Sequence, residues 1–442
     1  MSDAPHEHKP HWTGELLRSA SFARAYTFAA FGTVFASFAI EWLAGDVVYG
    51  TIITGLCLFG IGMLVARRHE ISLLRLVPTS LIGFLVWAGA SILWSTDPSQ
   101  TAGGWVATVS IAFIAIVIAH VRDTLQTVRA LADVMRWLLS ISLALEIVVG
   151  ILLRSPIDLL GIEGNIAQFG PVQGIFGTRN LLGLVAVLAL IAFVVEWRTN
   201  SVRVGLSVYS VAVGGLMAAL SDSPTVFVLA AAMGVVTGVL VLVRHAGPHN
   251  RRRLQWTLGG IMATIILVTY ILRHQIVIWL GASSDFSIRA RLWEVLTYYV
   301  QAHPVQGFGW FGPWVDGVPP FSGVNYALDD HYTSSLNAFF DVLLQLGWVG
   351  LILFGTVAGI AVVRSWLVAS ERRSVVYAWT PLTLVALLVD SLFESFTLFG
   401  LGWLMLVICA VRAGQSRSWR ERIDTLGAVP EDTGQLPPTP DT

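Results

Sequence analysis

Two arginines, Arg289 and Arg291, stand two residues apart just before Trp293. A guanidinium presents planar, paired donors, so arginines in this setting suit a phosphate or carboxylate ligand. A third candidate, Arg179, precedes Asn180 at the start of an apolar run. His331 follows Asp329 and Asp330. An imidazole accepts a proton near neutral pH, and a neighbouring carboxylate orients it and raises its pKa. Glu394 and Asp390 are acids at the edge of an apolar segment, placed to pair with a cation or to bind hydroxyl groups, and Asn337 opens another such segment. The combined chemistry is the holding of an anionic group with removal of a proton close by.

Each residue also has a structural reading. For Arg289 the structural alternative is a solvated cation snorkelling from an interfacial helix, with the ligand role taken first because its position opposes the charge bias; Arg291 lies two positions on, so it faces another way. His331 fits an exposed loop. Asn before an apolar run is a common helix cap, and for Asn180 capping is the reading taken first. For Asp390 and Glu394 a structural ion pair competes with a ligand role. Glu41, His120 and Glu196 fall at segment ends and read as structural. Lys9 is the only lysine in the chain, so the choice of arginine over lysine carries little weight and position carries more.

The 442-residue chain is 55% hydrophobic and only 12% charged, too little charge to cover a soluble surface. Its net charge of −1 offers no basic field for nucleic acid. Cys57 and Cys409 both lie in apolar stretches, which argues against a disulfide framework or a cysteine-held metal. Residues 1–21 contain no short apolar segment ending in a cleavage site, so the first span is expected to act as an uncleaved signal.

Apolar runs of roughly 20 residues predict an all-α, polytopic membrane protein of about twelve spans. They fall near Ala25–Leu43, Val47–Ala66, Val77–Trp94, Ala102–Ala119, Trp137–Leu153 and Leu181–Trp197. The rest lie near Val204–Leu220, Val226–Val243, Trp256–Leu272, Asn337–Val363 (broken by Gly347 and Gly350), Val375–Val389 and Leu398–Val411. The expected organisation is a cytoplasmic tail over 1–21, a membrane domain over 22–413 and a polar, Pro-rich, disordered cytoplasmic tail over 414–442. Alternate gaps between spans carry the arginines, among them Arg67, Arg122, Arg198, Arg244 and Arg372, whereas 44–46, 95–101, 221–224 and 390–397 contain none. The positive-inside rule then places both termini in the cytoplasm. Two outer segments break the bias: 154–180, with Arg154 and Arg179, and 274–336, with Arg289, Arg291, His274, His303 and His331. Cations sited against the bias invite an anionic ligand at the outer face. Within 274–336, helical spacing of Ile288, Leu292, Val295, Leu296 and Tyr299 predicts a short amphipathic helix over Ser287–Gln301, stopped by Pro304, followed by an aromatic, Gly-rich turn near headgroup level.

Five local patterns resemble, in order, those of the O-antigen ligase and polymerase family: Ser91–Pro98 (SILWSTDP), Gly174–Asn180 (GIFGTRN), Ser287–Trp293 (SIRARLW) with His303–Gly309 (HPVQGFG), Asn337–Gly350, and Asp390–Ser395 (DSLFES). The resemblance spans about 300 residues and is carried by order and spacing rather than by any one motif. It implies a GT-C-like fold that works without metal, nucleotide or other cofactor. It further implies transfer of a glycan from an undecaprenyl-pyrophosphate donor to a glycan or lipid acceptor, at the outer face of the cytoplasmic membrane. On this reading Arg289, Arg291 and Arg179 bind the pyrophosphate. His331 is the base and acts with Arg289 in catalysis, while Asn180, Asn337 and Glu394 support them. Expected partners are the donor, the acceptor, membrane lipids, a flippase and chain-length regulators. The chain departs from the family at Leu336, where many members have His, and at Pro224, where many carry a basic residue. A transporter or flippase and a non-catalytic assembly protein are the competing readings.

Overall fold

A computed structural model describes residues 12–69, 76–153, 162, 164–168, 170–271 and 284–415. Arg154, His274 and the tail from 416 onward lie outside the described residues. The described chain is all-helical, with no strand among its elements.

The first half builds α1 (Trp12–Arg18), α2 (Ala20–Phe35), α3 (Ser37–Ala44), α4 (Asp46–Ala66), α5 (Thr79–Ala90), α6 (Pro98–Val121) and α7 (Thr124–Ile147). Helix α1 and the start of α2 occupy part of the stretch expected to be a tail. Caps fix several starts. Asp97 accepts from the backbone of Ser99 and Gln100 with Pro98 in the first turn of α6, and Asp123 and Gln126 form a capping box at α7. The second half adds α8 (Arg179–Arg198), α9 (Val204–Leu220), α10 (Pro224–His245), α11 (Pro248–Ile271), α12 (Ser284–Ala302), α13 (Phe321–Leu328), α14 (Ala338–Glu371), α15 (Val376–Asp390) and α16 (Gly400–Gln415).

Among the described residues six helices are long and apolar enough to cross a membrane, or seven if α2 and α3, bent by 73°, count as one span. Large side chains such as Leu58, Phe59, Phe227 and Ile352 point outward from these helices and are more than half exposed, the pattern of a lipid-facing surface. The protein is therefore membrane-embedded. Each of the twelve expected apolar segments falls on a helix or on the bent pair, but α5, α9, α15 and α16 are shorter than the others. At 1.5 Å per residue, α16 extends only about 24 Å, less than a hydrocarbon core of roughly 30 Å. It is apolar on every side and packs against α2, α6, α14 and α15, which makes it a central strut. Helix α8 is buried in the same way among α7, α9, α10 and α15.

Helix α12 matches the predicted amphipathic helix. Its buried face, however, is Leu292, Leu296 and Val300, packed on α13 and α14, while Ile288 is 49% exposed. The aromatic turn beyond it is not a surface feature. Trp310, Phe311 and Trp314 are buried, because the loop inserts into the bundle and finds hydrogen-bond partners there. Trp310 donates from its backbone to Ser91 and from its indole to Thr108, and Gln345 Oε1 accepts from the backbone of Phe311 and Gly312.

Gly347 makes this docking possible. Its φ of 66° interrupts α14, so carbonyls that would close the helix become acceptors for the loop: Leu344 O receives Phe308 N and Gln345 O receives Gly309 N. A Cβ on Gly347 would lie 2.2 Å from Val305 O, so only glycine allows the two backbones to approach.

Candidate functional site

One cavity of about 220 Å³ lies where the starts of α8 and α10, the start of α12 and the turn between α15 and α16 meet, and Arg179, Asn180, Pro224, Arg289, Leu336 and Phe393 line it. Arg179 opens α8 and Pro224 opens α10, so the positive dipole ends of two helices adjoin it. The opposite end of the bundle is rich in arginine of another kind. There Arg67 and Arg18 donate to the last carbonyls of α6 and α4, and Arg412 to the carbonyl of Arg122 just beyond α6, which is helix capping.

The structure thus brings Arg179 and Arg289, 110 positions apart by their numbering, to one cavity. Arg289 Nη2 lies 3.0 Å from Glu394 Oε1, and its Nε is buried without a partner among the described residues. Arg179 Nη1 makes only a 3.4 Å contact to Asp222 O, with no carboxylate in ion-pair range among the described residues. Arg179 is therefore the cation with donors to spare.

Asn180 corrects the capping expectation. Thr178 is the N-cap of α8, its hydroxyl accepting from Leu181 N. The Asn180 side chain is thereby released to bridge outward. Nδ2 donates to Glu394 Oε1 at 2.6 Å, and Oδ1 accepts from Ser223 Oγ at 2.7 Å. Asn337 is a cap: its Oδ1 accepts from Phe339 N and Phe340 N at the start of α14, and its Nδ2 donates to Leu392 O, which holds the turn bearing Glu394. Burial pushes the Glu394 carboxyl above its ordinary range, against the downward pull of Arg289 and Asn180.

Two expected residues are not brought to the cavity. Arg291 is exposed on another face of α12, as its spacing from Arg289 requires. His331 is exposed in the loop after α13, and Asp330 accepts from its backbone N rather than from its ring. Leu336 does line the cavity, in the left-handed region at φ 52°.

Two acids carry more structure than their sequence context suggested. Asp341, fully buried, accepts from Trp314 Nε1 at 2.6 Å, from Ser335 N at 3.1 Å and from Ser395 Oγ. It ties the long loop to the turn that holds Glu394. Asp390 is also fully buried, and neither of its carboxyl oxygens has a partner among the described residues. The motif around each was visible in sequence, but the role was not, since the donors to Asp341 come from three separate segments. Glu196 is structural as expected, in an ion pair with Arg136 at 2.7 Å. Among the described residues no three His, Cys, Asp or Glu side chains are grouped to hold a metal ion.

Fold and site define a class: a membrane-embedded protein, all-helical over the described residues, with an arginine-bearing cavity at one end of the bundle, suited to an anion. The chain matches no protein-family model and no curated protein.

Proposed function

We propose that this protein is a membrane glycosyltransferase of the O-antigen ligase and polymerase type. It would cross the cytoplasmic membrane about twelve times in a GT-C-like arrangement, with both termini inside. Its reaction is transfer of a glycan from an undecaprenyl-pyrophosphate carrier to a glycan or lipid acceptor at the outer face. The observation that carries the reading is the meeting of Arg179 and Arg289 in one cavity beside two helix N-termini. A leaving pyrophosphate gains charge as the glycosidic bond breaks, and fixed guanidinium and backbone donors offset that charge. The inserted aromatic loop and the Asp341 bonds hold this end of the bundle in place, the preorganisation such stabilisation requires.

Transfer by the purified protein, given a lipid-pyrophosphate oligosaccharide and candidate acceptors, tests the proposal. Wild-type protein forms a new glycosidic bond, and Arg289→Ala reaches the membrane but does not. Absence of transfer with every acceptor, from well-folded wild-type protein, removes the reading. A transporter or flippase draws support from Asp390, a buried acid within an apolar helix. That alternative predicts movement of the lipid-linked glycan across vesicle membranes with no new bond formed.

A further inference from the structure

The cavity wall supplies cations and an amide but no base. Arg179, Arg289 and Asn180 are its polar residues of this kind, and Leu336 fills the position from which an imidazole could have reached in. His331 lies outside. The carboxylate bonded directly to this wall is Glu394, with Arg289 and Asn180 both donating to its Oε1. Among the described residues its Oε2 accepts no hydrogen bond.

Behind Glu394 stands Asp390, whose backbone carbonyl accepts from Glu394 N at 2.9 Å. The charged and titratable groups facing Glu394 are Arg289 from α12, Arg179 across the cavity from α8, Asp390 one turn back, and Asp341 of α14 through Ser395. Asp341 has three donors of its own, and the cation in contact with Glu394 is Arg289. Among the described residues neither carboxyl oxygen of Asp390 has a hydrogen-bond partner. Arg289 is thus held by Glu394 at rest and is the group that an incoming phosphate competes for.

We infer that Glu394, and not His331, takes the acceptor's proton, and that the donor itself exposes it by drawing Arg289 onto the pyrophosphate. The inference rests on the transfer reading above. The acceptor oxygen forms its bond to the anomeric carbon while the bond from that carbon to the pyrophosphate oxygen breaks. The lipid pyrophosphate leaves with the electron pair, held by Arg289 and Arg179, and the hydroxyl proton ends on Glu394. Burial favours the protonated form of Glu394, which makes it a stronger base than an exposed carboxylate.

The test compares Glu394→Gln, Glu394→Asp, Asp390→Asn, His331→Ala and Arg289→Ala with wild type, in purified protein with a lipid-pyrophosphate oligosaccharide. Glu394→Gln keeps an oxygen for Arg289 and Asn180 to bond, so it folds. It binds the donor at least as tightly as wild type but lowers kcat by about 100-fold or more, the usual size of a general-base effect. Glu394→Asp restores part of kcat. Asp390→Asn, at a side chain that does not line the cavity, stays within about threefold of wild type, as does His331→Ala. In the wild type kcat rises with pH as Glu394 loses its proton and then levels off, and that acid-side limb disappears in Glu394→Gln.

Equal loss of donor binding and of kcat in Glu394→Gln would mean a merely structural carboxylate and would overturn the inference. Wild-type kcat in that variant beside a dead His331→Ala would return the base to His331. Either result leaves the transfer reading standing so long as Arg289→Ala is inactive, whereas no transfer by wild type overturns both.

Discussion

Arg289 and Glu394 meet at 3.0 Å across 105 residues of sequence, joining the first turns of α12 to the turn before α16. Their side chains are 14% and 5% exposed, so the pair is largely withdrawn from water. Removing one partner of such a pair strands the other. Arg289→Ala is expected to lose up to about 3–5 kcal/mol, less whatever hydration the open cavity restores. Adding Glu394→Gln recovers part of that loss. Thermal unfolding of both variants in detergent checks this, and a double variant no more stable than the single one would contradict it.

Arg289→Lys should not restore function. A lysine keeps the charge but loses the planar fork that bonds Glu394 and a phosphate in turn. Donor binding is expected to weaken by at least tenfold, read by displacement of a labelled lipid pyrophosphate.

The loop that carries this end of the bundle depends on two facing glycines. A Cβ on Gly307 would lie 2.4 Å from Gln345 O, and one on Gly347 would lie 2.2 Å from Val305 O. Both also have positive φ. Gly307→Ala and Gly347→Ala should each lower the melting temperature markedly. Gly359→Ala, in open space within the same helix α14, should match or exceed wild type by up to about 1 kcal/mol.

Asp341 anchors the loop through three donors, and Asp341→Asn replaces one accepting oxygen with a donor that faces donors. The expected cost is about 1–3 kcal/mol. Limited proteolysis should then cut within 303–336 faster than in wild type, while the helices at the opposite end stay protected.

Stability should also record the raised Glu394 pKa. In the native state this carboxyl holds its proton to a higher pH than in the unfolded chain. Its contribution is therefore complete below the ordinary carboxylate pKa and is lost as pH rises through the folded value. Glu394→Gln removes that dependence. The melting temperature of the variant relative to wild type should climb with pH across this window; a constant difference would contradict the assignment.

By itself the sequence determined what depends on neighbouring residues. Apolar length marked the twelve segments that fall on helices, spacing marked α12 to within a few residues of Ser284–Ala302, and Gly347 marked the break in α14. Arg179 and Arg289 stood out because cations there oppose the charge bias of the chain. Tertiary structure alone decided which groups share a cavity. It freed Asn180 from capping by giving that task to Thr178, left His331 at the surface, and buried Asp341 with partners and Asp390 without them. Helix formation and membrane insertion read composition over a single stretch of chain. A hydrogen bond between Asn180 and Glu394 spans 214 residues, and only the packing of whole helices brings such a pair within reach.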